Sequence, residues 1–371
     1  MPPAGAKICP PGWRHRLHAA QIGKRPFGNQ LSSGALAICR SRLRDSGTNR
    51  MSTVPDADTA RDTLALFARI SRSSDRVILS YSDAASPATA SSPAFYCVHS
   101  VSGAAGTDFL DLARRLEPTI RFYGIQAPPK QMLDFEFGKS MESLATYYSD
   151  ALCEFQPSGP IVLGGYCVGA VIALEMARNL RARGRNVGPL IAIDGMPENA
   201  GERLSRWQPW YWFELARNIP SWFRHADLMR SRSLRSFLSS LSKNISAIGR
   251  GMVGLKPGEK LGGSYAMDQM MDLSLYPPFH RQFINRLFNA LFAYFPQKYS
   301  GEIAVYEAKT TPLLYLPQVA RTWLNFAPHA GIISIPGTHI AMMHEPYVDV
   351  LAEDMRRRIL NFIQRGSGAS R

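Results

Sequence analysis

Residues 164–177 read "GGYCVGAVIALEMA", and the rest of the chain is organised around them. The run begins inside "PIVLGGY", apolar and of strand length, and passes into "VGAVIALEMARNLRARG", which has the composition and length of a helix. Cys167 stands at the junction with Gly165 and Gly169 two positions to either side. A strand that turns sharply into a helix needs small residues there, so that the two elements can approach closely and a residue can be held in a strained turn. A lone cysteine is ordinarily a small core residue. Here the strand, turn and helix context makes Cys167 a candidate nucleophile, with the positive end of the helix aimed at it.

Working outward, strands and helices alternate. "AFYCVHS" (94–100), "IRFYGIQA" (120–127) and "VGPLIAIDG" (187–195) read as strands, while "TDFLDLARRL" (107–116) and "MESLATYYSDALCEF" (141–155) read as helices. "EIAVYEA" (302–308) and "GIISIPG" (331–337) add two more strands, and "PYVDVLAEDMRRRILNFI" (346–363) closes as an amphipathic helix. Such an order predicts an α/β fold: a mostly parallel sheet flanked by helices on both faces. Residues from about 200 to 298 interrupt the alternation as a helical insertion. Trp207, Trp210, Trp212, Phe213, Trp222 and Phe223 crowd its start, and Phe283, Leu287 and Leu291 share one helix face near its end.

Composition sets outer bounds. The 371 residues are 45% hydrophobic, enough for a large soluble core, and the formal charge is +14. Nine basic residues and a single acid, Asp45, lie in the first 50 positions. Residues 1–60 therefore read as a basic, disordered tail, in preference to a transit-like or nucleic-acid-binding arm, with Met51 as an alternative start. Residues 61–92 read as a short helix and strand followed by a linker, and 93–365 as the catalytic unit with its insertion. The longest uncharged apolar run falls short of the roughly 20 residues that a bilayer requires, so no membrane span is expected. Cys9, Cys39, Cys97, Cys153 and Cys167 show neither paired nor zinc-like spacing. A reducing, cytoplasmic setting is expected, with no metal.

A nucleophile at 167 needs a base and a carboxylate to orient that base. Asp194 ends the next strand and should emerge at the same edge of a parallel sheet. "PGTHIAMMHEP" (336–346) offers His339 and His344, and His339 is favoured because it directly follows the last strand. The backbone N–H of Val168 is one oxyanion donor, and the Gly- and Ser-rich loop "VHSVSGAAG" (98–106) is suited to supply another. His99 in that loop precedes the nucleophile and is read as stabilising the loop. The basic run at 230–251 reads as a solvated helix surface.

Taken together, "FYCVHSVSG", "YGIQAP", "GPIVLGGYCVGAVIALEMARNL", "LIAIDG", "YSGEIAVYEA" and "IPGTHIAMMHEPYV" resemble, in that order, the type I thioesterase family. These are α/β-hydrolase domains that unload acyl chains from nonribosomal peptide and polyketide assembly lines. The resemblance implies Cys167 as acyl acceptor, His339 as base, Asp194 as its orienter, Val101 and Val168 as oxyanion donors, and the insertion as a lid. It also implies a partner, an acyl or peptidyl carrier protein acting in trans, whose phosphopantetheine carries the substrate, and no resident cofactor. Most members have serine where this chain has Cys167. The motif Gly-Tyr-Cys-x-Gly also resembles dienelactone hydrolases, for which Glu307 is the comparable acid. A hydrolase fold serving only as a binding module is the non-enzymatic alternative.

Overall fold

The computed structural model describes residues 76–81, 93–197, 209–220 and 276–368, apart from 107, 118, 211, 215 and 312–317. The basic tail, the helix expected near 64–70 and the basic run at 230–251 lie outside the described residues.

Seven strands form one sheet: β1 (Ile78–Ser80), β2 (Ala94–Val98), β3 (Arg121–Ile125), β4 (Val162–Tyr166), β5 (Leu190–Ile193), β6 (Ile303–Thr310) and β7 (Gly331–Thr338). Their order is β1-β3-β2-β4-β5-β6-β7. Every pair is parallel except the edge pair β1 and β3. Among the described residues, the helices around this sheet include α1 (Leu110–Leu116), α2 (Pro129–Met132), α3 (Met141–Phe155), α4 (Val168–Ala182), α5 (Pro278–Ala293), α6 (Val319–Phe326) and α7 (Val348–Gly368). This is the α/β architecture expected from the alternating pattern, a mostly parallel sheet flanked by helices.

Both faces of the sheet are covered, and the central strands show it residue by residue. Tyr96, Val98, Leu163 and Ala192 point into a core shared with α3, α4, α5 and α6. Phe95, Cys97, Val162 and Ile191 point into a second core shared with α1 and α7. With both sides buried, these strands are apolar throughout instead of alternating with polar residues. Ser140 begins α3 by accepting a hydrogen bond from the Ser143 N–H at 3.1 Å, an N-cap that starts the helix just ahead of its first buried residues.

The described residues of the insertion fall into two unlike parts. Phe283, Ile284, Leu287, Phe288 and Leu291 of α5 are buried in the first core, so this helix is integral to the domain as well as part of the insertion. A second helical stretch lies within 209–220, and Asn218 ties it to the sheet. Asn218 donates to the Thr311 carbonyl at 3.0 Å and accepts from the Thr311 N–H at 3.2 Å, tying the stretch to the end of β6.

Candidate active site

Strand register carries the site residues to one edge. Tyr166 pairs with Ile193, and Ile193 with Tyr306, so Cys167 and Asp194 leave β4 and β5 at adjacent positions, level with Glu307 inside β6. The Cys167 N–H donates to the Ile193 carbonyl at 2.9 Å, and the Asp194 N–H to the Tyr306 carbonyl at 2.7 Å. His339 follows β7 directly.

Cys167 is the N-cap of α4, with φ 60° and ψ −126°. A non-glycine residue there costs on the order of 1–3 kcal/mol, offset by the surrounding packing. The flanking glycines are obligatory for close approach. A Cβ on Gly165 would lie 2.0 Å from the Gly169 carbonyl oxygen, and one on Gly169 would lie 2.4 Å from the carbonyl oxygens of both Val98 and His99. The second contact presses the first turn of α4 against the exit of β2. Val168, whose N–H opens the helix without an intrahelical acceptor, thereby comes beside the loop that holds Val101.

That loop is tightly braced. Ser100 Oγ donates to Asp108 at 2.6 Å, and the Gly103 N–H donates to the Ser100 carbonyl at 3.0 Å. His99 is fully buried, with Nδ1 2.5 Å from the Ser100 carbonyl oxygen and Nε2 2.7 Å from the Tyr148 hydroxyl. Burial pushes the His99 imidazole down to about 4, against the pull of the Ser100 hydrogen bond. The neutral ring donates through Nδ1 and accepts from Tyr148.

On the other side of Cys167, His339 Nδ1 donates to Asp194 Oδ2 at 2.7 Å, while Asp194 Oδ1 accepts the Ala308 N–H at 2.8 Å. Burial opposes charge on His339, but the Cys167 sulfur, which hydrogen-bonds the same ring, and the Asp194 carboxylate together raise it to about 10. Cys167, His339 and Asp194 thus converge, and the carboxylate is fixed by main chain behind the ring. His344 takes no part, since its Nδ1 bonds Asp111 on α1 at 2.8 Å. Glu307 accepts a hydrogen bond from the Ala320 N–H at the start of α6, and burial raises its carboxyl. A cavity of about 750 Å³ opens beside Asp194, walled by Trp210, Glu214, Arg217, Glu307 and Arg321 among others. Among the described residues no cluster of three His, Cys, Asp or Glu side chains is placed to hold a metal ion.

Two supporting residues escape sequence reasoning. Trp323 of α6 donates Nε1–H to the Gly195 carbonyl at 2.7 Å, bracing the turn that carries Asp194. Tyr166 reaches the His339 loop. Neither contact has a signal in spacing or composition, because each joins positions more than a hundred residues apart through a single side chain.

Residues 93–211 match the thioesterase domain family. The match covers about a third of the chain. The matched stretch includes Cys167 and Asp194, whereas His339 is brought to them by the fold. The chain is similar to part of enterobactin synthase component F of Escherichia coli (strain K12), at 34% identity over 105 residues. That alignment covers 28% of this chain and 8% of the relative. It is also similar to part of polyketide synthase PksR of Bacillus subtilis (strain 168), at 40% identity over 73 residues, covering 20% of this chain and 3% of the relative. The chain therefore spans under a tenth of the length of these two multidomain relatives. Among solved structures, the NocB thioesterase domain in covalent complex with a fluorophosphonate nocardicin G analog aligns with 72% of this chain and 94% of its own, at 21% identity and a TM-score of 0.45. A four-domain nonribosomal peptide synthetase, holo-AB3403, aligns with 76% of this chain and 20% of its own, at 21% identity and a TM-score of 0.49. The fold assignment rests on strand order and register, independently of these two. Among the described residues, no helix is long and apolar enough to cross a membrane.

Proposed function

We propose that this thioesterase domain releases an acyl or peptidyl chain from the phosphopantetheine of a carrier protein or synthetase acting in trans, through a thioester on Cys167. The observation that carries the reading is the His339 to Asp194 hydrogen bond beside a cysteine held in the strained turn. In the first step the Cys167 sulfur, with the proton of the pair held on His339, attacks the thioester carbonyl, and the N–H groups of Val168 and Val101 receive the oxyanion. Collapse expels the pantetheine thiolate, which takes the proton from His339. In the second step water, or an amine or hydroxyl of the chain itself, attacks the acyl-enzyme. His339 accepts the attacking group's proton and returns it to the departing sulfur. Asp194 holds the ring in the tautomer that both steps need.

Thioester-to-thioester exchange is nearly even in energy, and the resulting acyl-S-enzyme stays more reactive toward amines than an oxyester would. The sulfur therefore keeps the chain activated for hydrolysis or for cyclisation. The substrate supplies its own thioester, so the reaction calls on no resident cofactor, no nucleic acid and no membrane, and it suits a reducing, cytoplasmic setting.

The test is intact-protein mass spectrometry after mixing with acyl N-acetylcysteamine thioesters of several chain lengths. Wild type is expected to gain one acyl mass and to turn over. Cys167→Ala should form no adduct and lose at least about a thousandfold in rate. Cys167→Ser should still acylate but shift the ratio of acid to cyclised product. Absence of any wild-type adduct would favour a binding module, and identical rates and products for the serine variant would remove the special role of sulfur.

A further inference from the structure

We infer that Tyr166 is a positioning residue for His339, acting from inside the nucleophile turn through a ring stacked on the imidazole and a hydroxyl bonded to the same residue's backbone. The inference rests on the reading of His339 as the base. Tyr166 is the last residue of β4 and immediately precedes Cys167. Its ring lies against that of His339, with centroids 4.7 Å apart and planes 23° from parallel. Its hydroxyl donates to the His339 carbonyl oxygen at 2.8 Å, across 173 residues of sequence.

The two contacts together constrain what neither does alone. The hydroxyl fixes where the backbone of residue 339 lies, and the stacked face restricts rotation of the side chain about its own bonds. With Nδ1 on Asp194, the remaining freedom of the ring is small and Nε2 is left for the sulfur. Tyr166 is buried, packing among the α1 and α7 core residues, and burial keeps its hydroxyl protonated as a donor. The charged or titratable groups around this pair are Cys167, Asp194 and, further off, Asp108. Backbone continuity from 166 to 167 means that one short segment places the nucleophile and the base relative to each other. More remote braces, such as the Arg115 ion pairs with Glu345 and Asp349, hold the loop as a whole without orienting the ring.

A structural role alone would lower stability and leave the ring's titration unchanged, so the titration of the His339 ring is the decisive measurement. The full chain is labelled with ring-13C histidine, the His339 resonance is assigned by its loss in His339→Gln, and its midpoint is followed with pH. In Tyr166→Leu, which drops ring and hydroxyl, the midpoint should fall from about 10 by at least about one unit, as the imidazole loses its fixed approach to Cys167 and Asp194. Tyr166→Phe, which keeps the stack, should fall less, and it carries the test alone if the leucine variant does not fold. Kinetics on an acyl N-acetylcysteamine thioester should show the alkaline limb moving toward neutral pH in the same order, with kcat lowered more than KM is changed. Midpoints equal to wild type in both variants would overturn the inference. A wild type inactive on every thioester would overturn the proposed function and leave the titration to decide the role of Tyr166.

Discussion

Two loops at the same edge of the sheet each present an imidazole, and their surroundings drive the rings in opposite directions. His99, after β2, is sealed between the Ser100 carbonyl and the Tyr148 hydroxyl, and desolvation leaves it neutral down to about 4. His339, after β7, is also largely withdrawn from water, yet Cys167 and Asp194 face it, and it holds its proton up to about 10. The contrast teaches that position at this edge of the sheet does not set a histidine's charge. Burial without an anion leaves the ring neutral, and burial against two groups able to carry negative charge lets it keep its proton.

The sharpest way to break the contrast is to take an anion from His339. Asp194→Asn should reduce thioester turnover by about a hundredfold or more and lower the ring's midpoint, as measured by steady-state kinetics and ring NMR. A loss under tenfold would show that another group orients the base.

Stability against pH comes next, and the two rings have opposite signs. The folded value of His99 lies below its unfolded value near 6.5, so its contribution is complete above that pH and is lost as pH falls toward about 4. The loss is at most about 3 kcal/mol. The folded value of His339 lies above the unfolded one, so its contribution is complete below 6.5 and is lost as pH rises toward about 10. Urea denaturation across pH should therefore show a dome. His99→Gln should flatten only its acid side, and Asp194→Asn only its alkaline side. An acid side unchanged by His99→Gln would place the titration elsewhere.

The smallest effect sharpens the comparison by testing the second acid. Glu307→Gln keeps an acceptor for the Ala320 N–H, so turnover should stay within about threefold of wild type. A fall as large as that of Asp194→Asn would move the orienting role to Glu307 and favour the dienelactone hydrolase resemblance.

The two loops also mark how far letters reach. The convergence of Cys167, Asp194 and His339 was legible because a parallel sheet delivers whatever follows each strand to one edge, and strand endings are readable from apolar runs. The choice of His339 over His344 followed the same logic, and the His344 to Asp111 bond supplies a physical reason for it. Helix α6 was missed: eight residues, "VARTWLNF", are too few for periodicity to separate from a loop. The aromatic positions of the insertion were read as one lid, but spacing already distinguished two kinds. In α5 the apolar residues recur on one face and are buried, whereas Trp210, Trp212 and Phe213 are crowded around a helix and stay half exposed. Tyr166 was read only as a letter of the motif Gly-Tyr-Cys-x-Gly, because a contact made by one hydroxyl leaves no pattern.

The anchor between Asn218 and Thr311 has a consequence for how the chain can vary. Both bonds from the amide end on main-chain atoms, so residue 311 is free to change its side chain while the attachment persists. Residue 218 has no such freedom, since only a side-chain amide offers a donor and an acceptor at that reach. Asn218 and Thr311 both line the cavity beside Asp194, so a substitution at 218 alters that wall without changing the sulfur, the imidazole or the carboxylate.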